Sequence, residues 1–173
     1  METIRNPAAY SRRRFVLCYF RGTWDGSMKL AVDSSSFAKR YVQEVGSDKL
    51  DDFLESASEL ALCVILVPEI ISGLNRRLRE RILTIVDYRT VKQQLMDDVR
   101  DATVLQITPS VISRSVKLLE GNALRALDSL HVACALEWQA DLFVTSDRRQ
   151  FLAATNAGLR TEYIGQPDAS ADG

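Results

Sequence analysis

From Met28 onward, short uninterrupted apolar runs alternate with segments whose apolar residues recur every three to four positions. Leu30-Ala31-Val32 within 29–33 predicts a strand, and the segment at about 35–45 predicts a helix with N-cap candidates in Ser34 to Ser36. A second helix is expected at about 47–57, opened by Ser47-Asp48. Leu60-Ala61-Leu62-Cys63-Val64 is continuously apolar, as in a parallel strand covered on both faces. Pro68 fits the first turn of the next helix, where its missing N–H costs nothing, and Ile70, Ile71, Leu74 and Leu78 follow at helical spacing. Helices at about 85–101 and 109–120 flank a strand at 104–107, with Thr108-Pro109 as a helix start. Residues 123–139 predict a strongly apolar helix and 141–145 a strand. A short helix to about 154 and an edge strand at 160–164 complete the series. Strands alternating with helices imply an α/β domain with a mostly parallel sheet.

Composition agrees with one domain. The chain has 173 residues, 46% of them apolar, enough for a sizeable core, and only eight glycines and four prolines. Its net charge of −1 argues neither for a globally basic nucleic-acid coat nor for an acidic tail. Charge is unevenly placed, however: residues 1–27 carry five arginines against Glu2 and Asp25. That stretch reads as a basic leader or extension, disordered, ahead of a domain spanning 28–165, with Met28 a candidate initiator. Residues 166–173 form a polar tail. Ser11-Arg12-Arg13-Arg14-Phe15-Val16-Leu17 has the look of a twin-arginine signal, but its apolar segment is too short and is cut by Arg21. No stretch approaches the length of a membrane span. Cys18, Cys63 and Cys134 lack metal-ligand spacing, and the last two lie in apolar runs as reduced core thiols would in a cytoplasmic protein.

The chemistry rests on four acids. Asp33 and Asp147 each follow an apolar strand, where ligands bind in open parallel sheets. Glu69 lies in the first turn of its helix, favoured there by the helix dipole. Asp128 sits among Leu127, Leu130, Ala133 and Cys134, surroundings in which a carboxylate demands a partner. Each has a plainer reading as a cap or a dipole complement, least persuasive for Asp33, because Ser34 to Ser36 can already cap, and for Asp128. If the fold gathers the four, the natural occupant is a hard divalent cation and the natural chemistry phosphodiester cleavage. His131, the single histidine, falls three residues after Asp128 on a neighbouring part of the same face; it could touch the site, but the favoured reading is a packed helix histidine. One histidine argues against a His-paired acid/base nuclease and against a His-rich zinc site. Arg76, Arg77, Arg79 and Arg81 follow Glu69, Lys39 and Arg40 follow Asp33, and Arg148 and Arg149 follow Asp147 directly. By adjacency, Arg148 and Arg149 are the better candidates for phosphate contacts.

Four segments carry a resemblance: Val32-Asp33-Ser34-Ser35, the run from Val67 to Arg76, the run from Leu124 to Ala133, and Val144-Thr145-Ser146-Asp147. In order, spacing and flanking residues they resemble the signature blocks of PIN domains, and among these the VapC toxins of bacterial toxin–antitoxin pairs, over about 28–165. The resemblance implies a three-layer α/β/α fold with a mostly parallel central sheet. It implies an endoribonuclease dependent on Mg²⁺ or Mn²⁺, with Asp33, Glu69, Asp128 and Asp147 as the catalytic quartet. Asp33, Asp128 and Asp147 are the expected metal ligands, and Ser35 and Thr145 the hydroxyls that hydrogen-bond the carboxylates. The expected partners are an RNA substrate, a cognate antitoxin protein and a second copy of the chain, with no membrane and a cytoplasmic location. Alternatives are a PIN-type RNA-processing nuclease that is not a toxin, and a catalytically silent PIN-like binding module.

Overall fold

The computed structural model describes residues 4, 5 and 28–166. The disordered leader expected over 1–27 and the tail over 166–173 fall outside those residues, apart from Ile4, Arg5 and Gln166. Ile4 forms an antiparallel bridge with Val42, and Arg5 reaches Asp51 at 2.8 Å, so these two residues dock on the domain.

Five parallel strands run β1 (Lys29–Val32), β2 (Glu59–Cys63), β3 (Thr103–Leu105), β4 (Leu142–Thr145) and β5 (Thr161–Tyr163) in chain order. Their spatial order is β3-β2-β1-β4-β5, so β1 is central and pairs in parallel with both β2 and β4. The chain progresses outward on one side of β1 and then crosses to the other. The carboxyl ends of β1 and β4 therefore flank the switch point at which ligands bind in such sheets.

Side-chain alternation divides the core in two. Leu30, Val32, Leu60, Leu62, Leu142 and Val144 join the cluster under helices α1 (Ser34–Phe37), α2 (Ser47–Ser56), α3 (Leu66–Arg79) and α4 (Ile85–Asp101). Ala31, Cys63 and Phe143 join the cluster under α5 (Pro109–Gly121), α6 (Ala126–Glu137) and α7 (Arg148–Asn156). Both faces of the sheet are covered, which is why the central strands read as unbroken apolar runs. The result is a three-layer α/β/α domain with an all-parallel sheet. Cys63 and Cys134 are both buried and free, their sulfurs 3.4 Å apart across the sheet–helix contact.

Two helices are shorter than their apolar periods predict. The helix expected at 35–45 ends at Phe37 and continues only as a 3₁₀ turn through Arg40. Ser47 Oγ donates to the carbonyls of Lys39 and Val42, and Val42 pairs with Ile4, so the carbonyls that would extend the helix are already engaged. At α6, Arg125 has extended backbone and the helix begins at Ala126; it closes before Gln139, whose φ of 57° is left-handed. Gly46, at φ 90°, opens α2 where a Cβ would lie 2.0 Å from the Ile164 carbonyl oxygen, so no other residue fits there.

Candidate active site

Helix starts pin the first pair of acids. Asp33 follows β1 as the N-cap of α1: Oδ1 accepts from the Ser36 N–H at 3.0 Å, and Oδ2 accepts from Ser35 Oγ at 2.6 Å. The side chain that the serine run was expected to relieve of capping is itself the cap. Capping fixes the carboxylate at the carboxyl edge of the sheet, where Asp33 is 1% exposed. Asp147 repeats the device at α7, accepting from the N–H groups of Arg149 (2.7 Å) and Gln150 (3.3 Å). Thr145, fully buried at the end of β4, accepts the Asp147 N–H at 3.0 Å through Oγ1, a bond to backbone and not to a carboxylate.

Asp128 lies in the first turn of α6, half-buried, and its neighbour Leu127 is exposed. What meets it is Gln150 from the first turn of α7. Gln150 Nε2 stands 3.3 Å from Asp128 Oδ1 and 3.3 Å from Asp33 Oδ2, so one amide group bridges two carboxylates from distant segments. Asp128 Oδ2 and Gln150 Oε1 are buried without hydrogen-bond partners. Burial and then repulsion by Asp147 raise the Asp128 pKa, outweighing the Arg125 N–H and the charges of Arg125 and Arg149.

Glu69, in the first turn of α3, faces elsewhere. Its Oε2 takes the hydroxyl of Ser34 and lies 2.6 Å from His131 Nε2, which is also 3.0 Å from Ser34 Oγ. His131 is thus packed, at 3% exposure, and in direct contact with a candidate acid. Burial opposes its protonation, but the Glu69 hydrogen bond and the negative charge of Cys63, Asp33 and Glu69 raise its pKa. Burial likewise opposes ionisation of Glu69, and the bonds from His131 and Ser34 overcome it and lower that pKa. Serine, histidine and carboxylate together have the composition of a hydrolytic triad, yet not its wiring. A relay uses opposite ring nitrogens, whereas here Nε2 meets both partners and Nδ1 is buried and unpaired.

The four acids therefore stand in two groups, Asp33 with Asp128 and nearby Asp147, and Glu69 with His131 and Ser34. Among the described residues no set of three or more His, Cys, Asp or Glu side chains is gathered at metal-ligating spacing. Most cations expected around the site are otherwise engaged. Lys39 is buried and pairs with Glu44, which also takes Arg77, and Arg40 is bound to Asp98. Arg149 lies 3.8 Å from Asp147, and Arg148 packs over the rings of Phe151 and Tyr163. Ser34 and Gln150 are contributions with no charge to mark them in the sequence, whereas the spacing of His131 from Asp128 already placed it within reach of the site.

The PIN domain family profile matches residues 30–156. The chain belongs to the PIN domain family. PIN domains are a nuclease family, which places the chain among the hydrolases. No curated protein matches the sequence. Solved structures share the fold at low identity. FitAcB from Neisseria gonorrhoeae is 15% identical with a TM-score of 0.60, over 76% of this chain and 95% of its own. DNA-bound VapBC from Salmonella typhimurium is 14% identical (TM-score 0.55; 79% and 98% covered). VapBC-5 from Mycobacterium tuberculosis, described as a toxin–antitoxin system member, is 17% identical (TM-score 0.52; 80% and 99% covered). Within this PIN domain the donor set fits a hard divalent cation. The carboxylates that meet there offer oxygens, Asp128 Oδ2 is buried without a partner, and burial and then the charge of Asp147 raise the Asp128 pKa, a penalty that a cation would relieve. No helix of the described residues is long and apolar enough to cross a membrane.

Proposed function

We propose that this PIN domain is an endoribonuclease dependent on Mg²⁺ or Mn²⁺ and that it acts as the toxin of a toxin–antitoxin pair. The observation that carries the reading is the facing pair Asp33 and Asp128 at the sheet's switch point, held together by a single neutral donor. Two carboxylates brought together from segments nearly a hundred residues apart are costly to keep unless something of opposite charge uses them.

Asp33 and Asp128 would hold the cation, with Asp147 contributing directly or through water. A bound Mg²⁺ or Mn²⁺ supplies a lowered pKa for its water and charge neutralisation on the phosphate. Asp33 is held in place by its cap and by Ser35, which leaves its orientation independent of substrate. Glu69, ionised and pointed by His131 and Ser34, is the group to ligate the cation or position a nucleophilic water. Such hydrolysis leaves 5′-phosphate and 3′-hydroxyl ends. Arg148 and Arg149, exposed beside Asp147, are placed to meet the RNA backbone.

A cognate antitoxin and a second copy of the chain are proposed partners, supported by neighbours that are toxin–antitoxin complexes and by the VapC-like motifs. The proposed compartment is the cytoplasm. The test is incubation of the purified chain with single-stranded RNA in Mg²⁺ or Mn²⁺, with and without chelator. Cleavage abolished by chelator and by Asp33→Asn or Asp128→Asn is expected; metal-independent cleavage refutes the mechanism. Growth arrest on expression, relieved by Asp128→Asn, separates a toxin from a processing nuclease, and absence of cleavage with every RNA identifies a silent module.

A further inference from the structure

Gln150 is the least satisfied buried polar side chain near the candidate site. It is 3% exposed, its Oε1 has no partner, and its Nε2 is held only by two bonds of 3.3 Å, at the long limit for N–H···O geometry. A buried amide has two donors and an acceptor to satisfy, and leaving one end unpaired costs free energy that native structures rarely accept without a reason. Its backbone is fixed by the start of α7, where the Gln150 N–H donates to Asp147 Oδ1 at 3.3 Å. The side chain is therefore aimed between Asp33 and Asp128 by the same cap that places Asp147.

The two ends of a carboxamide are nearly identical in shape and exchange by a half-turn about the last side-chain bond. With Nε2 inward, the group gives partial positive charge to two carboxylates. With Oε1 inward, it gives a third oxygen at the same point. We propose that Gln150 is a metal ligand of this PIN domain, supplying Oε1 beside Asp33 Oδ2 and Asp128 Oδ1 when a divalent cation binds. Amide oxygens are ordinary ligands for Mg²⁺ and Mn²⁺, and Oε1 has no existing hydrogen bond to give up in turning. The neutral amide completes an oxygen cradle without adding a further negative charge beside Asp128.

This assignment rests on the metal-nuclease reading and is tested on the full chain without RNA, by Mn²⁺ titration calorimetry and by the Mn²⁺-induced rise in Tm. Gln150→Ala is expected to weaken Mn²⁺ binding about tenfold, the scale on which metal-site partners act. Gln150→Glu places a charged oxygen at the same point. It is expected to lower the Tm without metal, because three carboxylates then crowd together, and to show a larger Mn²⁺-induced rise than the wild type. Gln150→Ala binding Mn²⁺ as tightly as the wild type overturns the inference. Should Gln150→Ala fail to fold, Gln150→Glu binding more weakly than the wild type overturns it equally. Loss of binding in Asp33→Asn but not in Gln150→Ala removes Gln150 alone. A wild-type chain that binds no Mn²⁺ removes the metal-nuclease reading together with it.

Discussion

Replacing His131 with leucine tests how the site is wired, because the imidazole is at once a core residue and the partner of Glu69. The ring is 3% exposed, with Nε2 2.6 Å from Glu69 Oε2 and Nδ1 buried without a partner. Loss of a charge-assisted hydrogen bond costs about 1.5–3 kcal/mol, and removing a buried unpaired nitrogen returns about 1 kcal/mol. Stranding one member of a fully buried pair costs about 3–5 kcal/mol, but Glu69 escapes that fate: its side chain is 26% exposed and keeps the Ser34 hydroxyl. The net expectation at mildly acidic pH is a loss of about 0.5–2 kcal/mol. The pH dependence sharpens the test. His131 has a folded pKa raised above 6.5, so its contribution is full below 6.5 and fades as pH rises through the folded value. Glu69 has a folded pKa lowered from 4.5, so its contribution is present above 4.5 and is lost as pH falls through the folded value. Both act in full only between 4.5 and 6.5. Urea unfolding of the wild type and His131→Leu at about pH 5.5 and pH 9 therefore yields a larger difference at the lower pH. A difference that is equal at both, or larger at the higher pH, refutes the pairing.

Asp128→Asn removes a carboxylate that burial and Asp147 already penalise, so its Tm at neutral pH is expected to be no lower than wild type while RNA cleavage is lost. Thermal unfolding checks this, and a Tm several degrees lower contradicts the repulsion. Asp98→Ala strips Arg40 of a two-pronged contact (2.7 and 3.1 Å) and Tyr41 of its acceptor (2.9 Å). It is expected to destabilise by about 2–4 kcal/mol in urea unfolding, without altering Mn²⁺ binding.

What the chain discloses about itself depends on how far each residue must look for its partner. The five strands and their order of appearance are local, and the apolar runs at 29–33, 60–64 and 141–145 display them because both sheet faces are covered. Asp33 and Asp147 are legible for the same reason: a strand end fixes where the next residue goes, and a helix start fixes its carboxylate. Helix ends are less legible, since α1 stops where Ser47 and Ile4 engage its last carbonyl groups and Val42, and neither partner is predictable from the helix's own period. The charge pattern misleads in one respect. Lys39, Arg40 and Arg77 look like a phosphate-binding array, and each is bound by an acid that only the fold brings near. The role of Gln150 and the partner of His131 are hidden for a different cause. Both residues belong to buried helix faces, where periodicity predicts packing, and their polar ends meet Asp33 and Glu69 across separations of 117 and 62 residues. Charge identifies which residues could serve a cation. The neutral and histidine partners decide which way the acids not held by a cap face, so the two most open to redirection by a single substitution are Asp128 through Gln150 and Glu69 through His131.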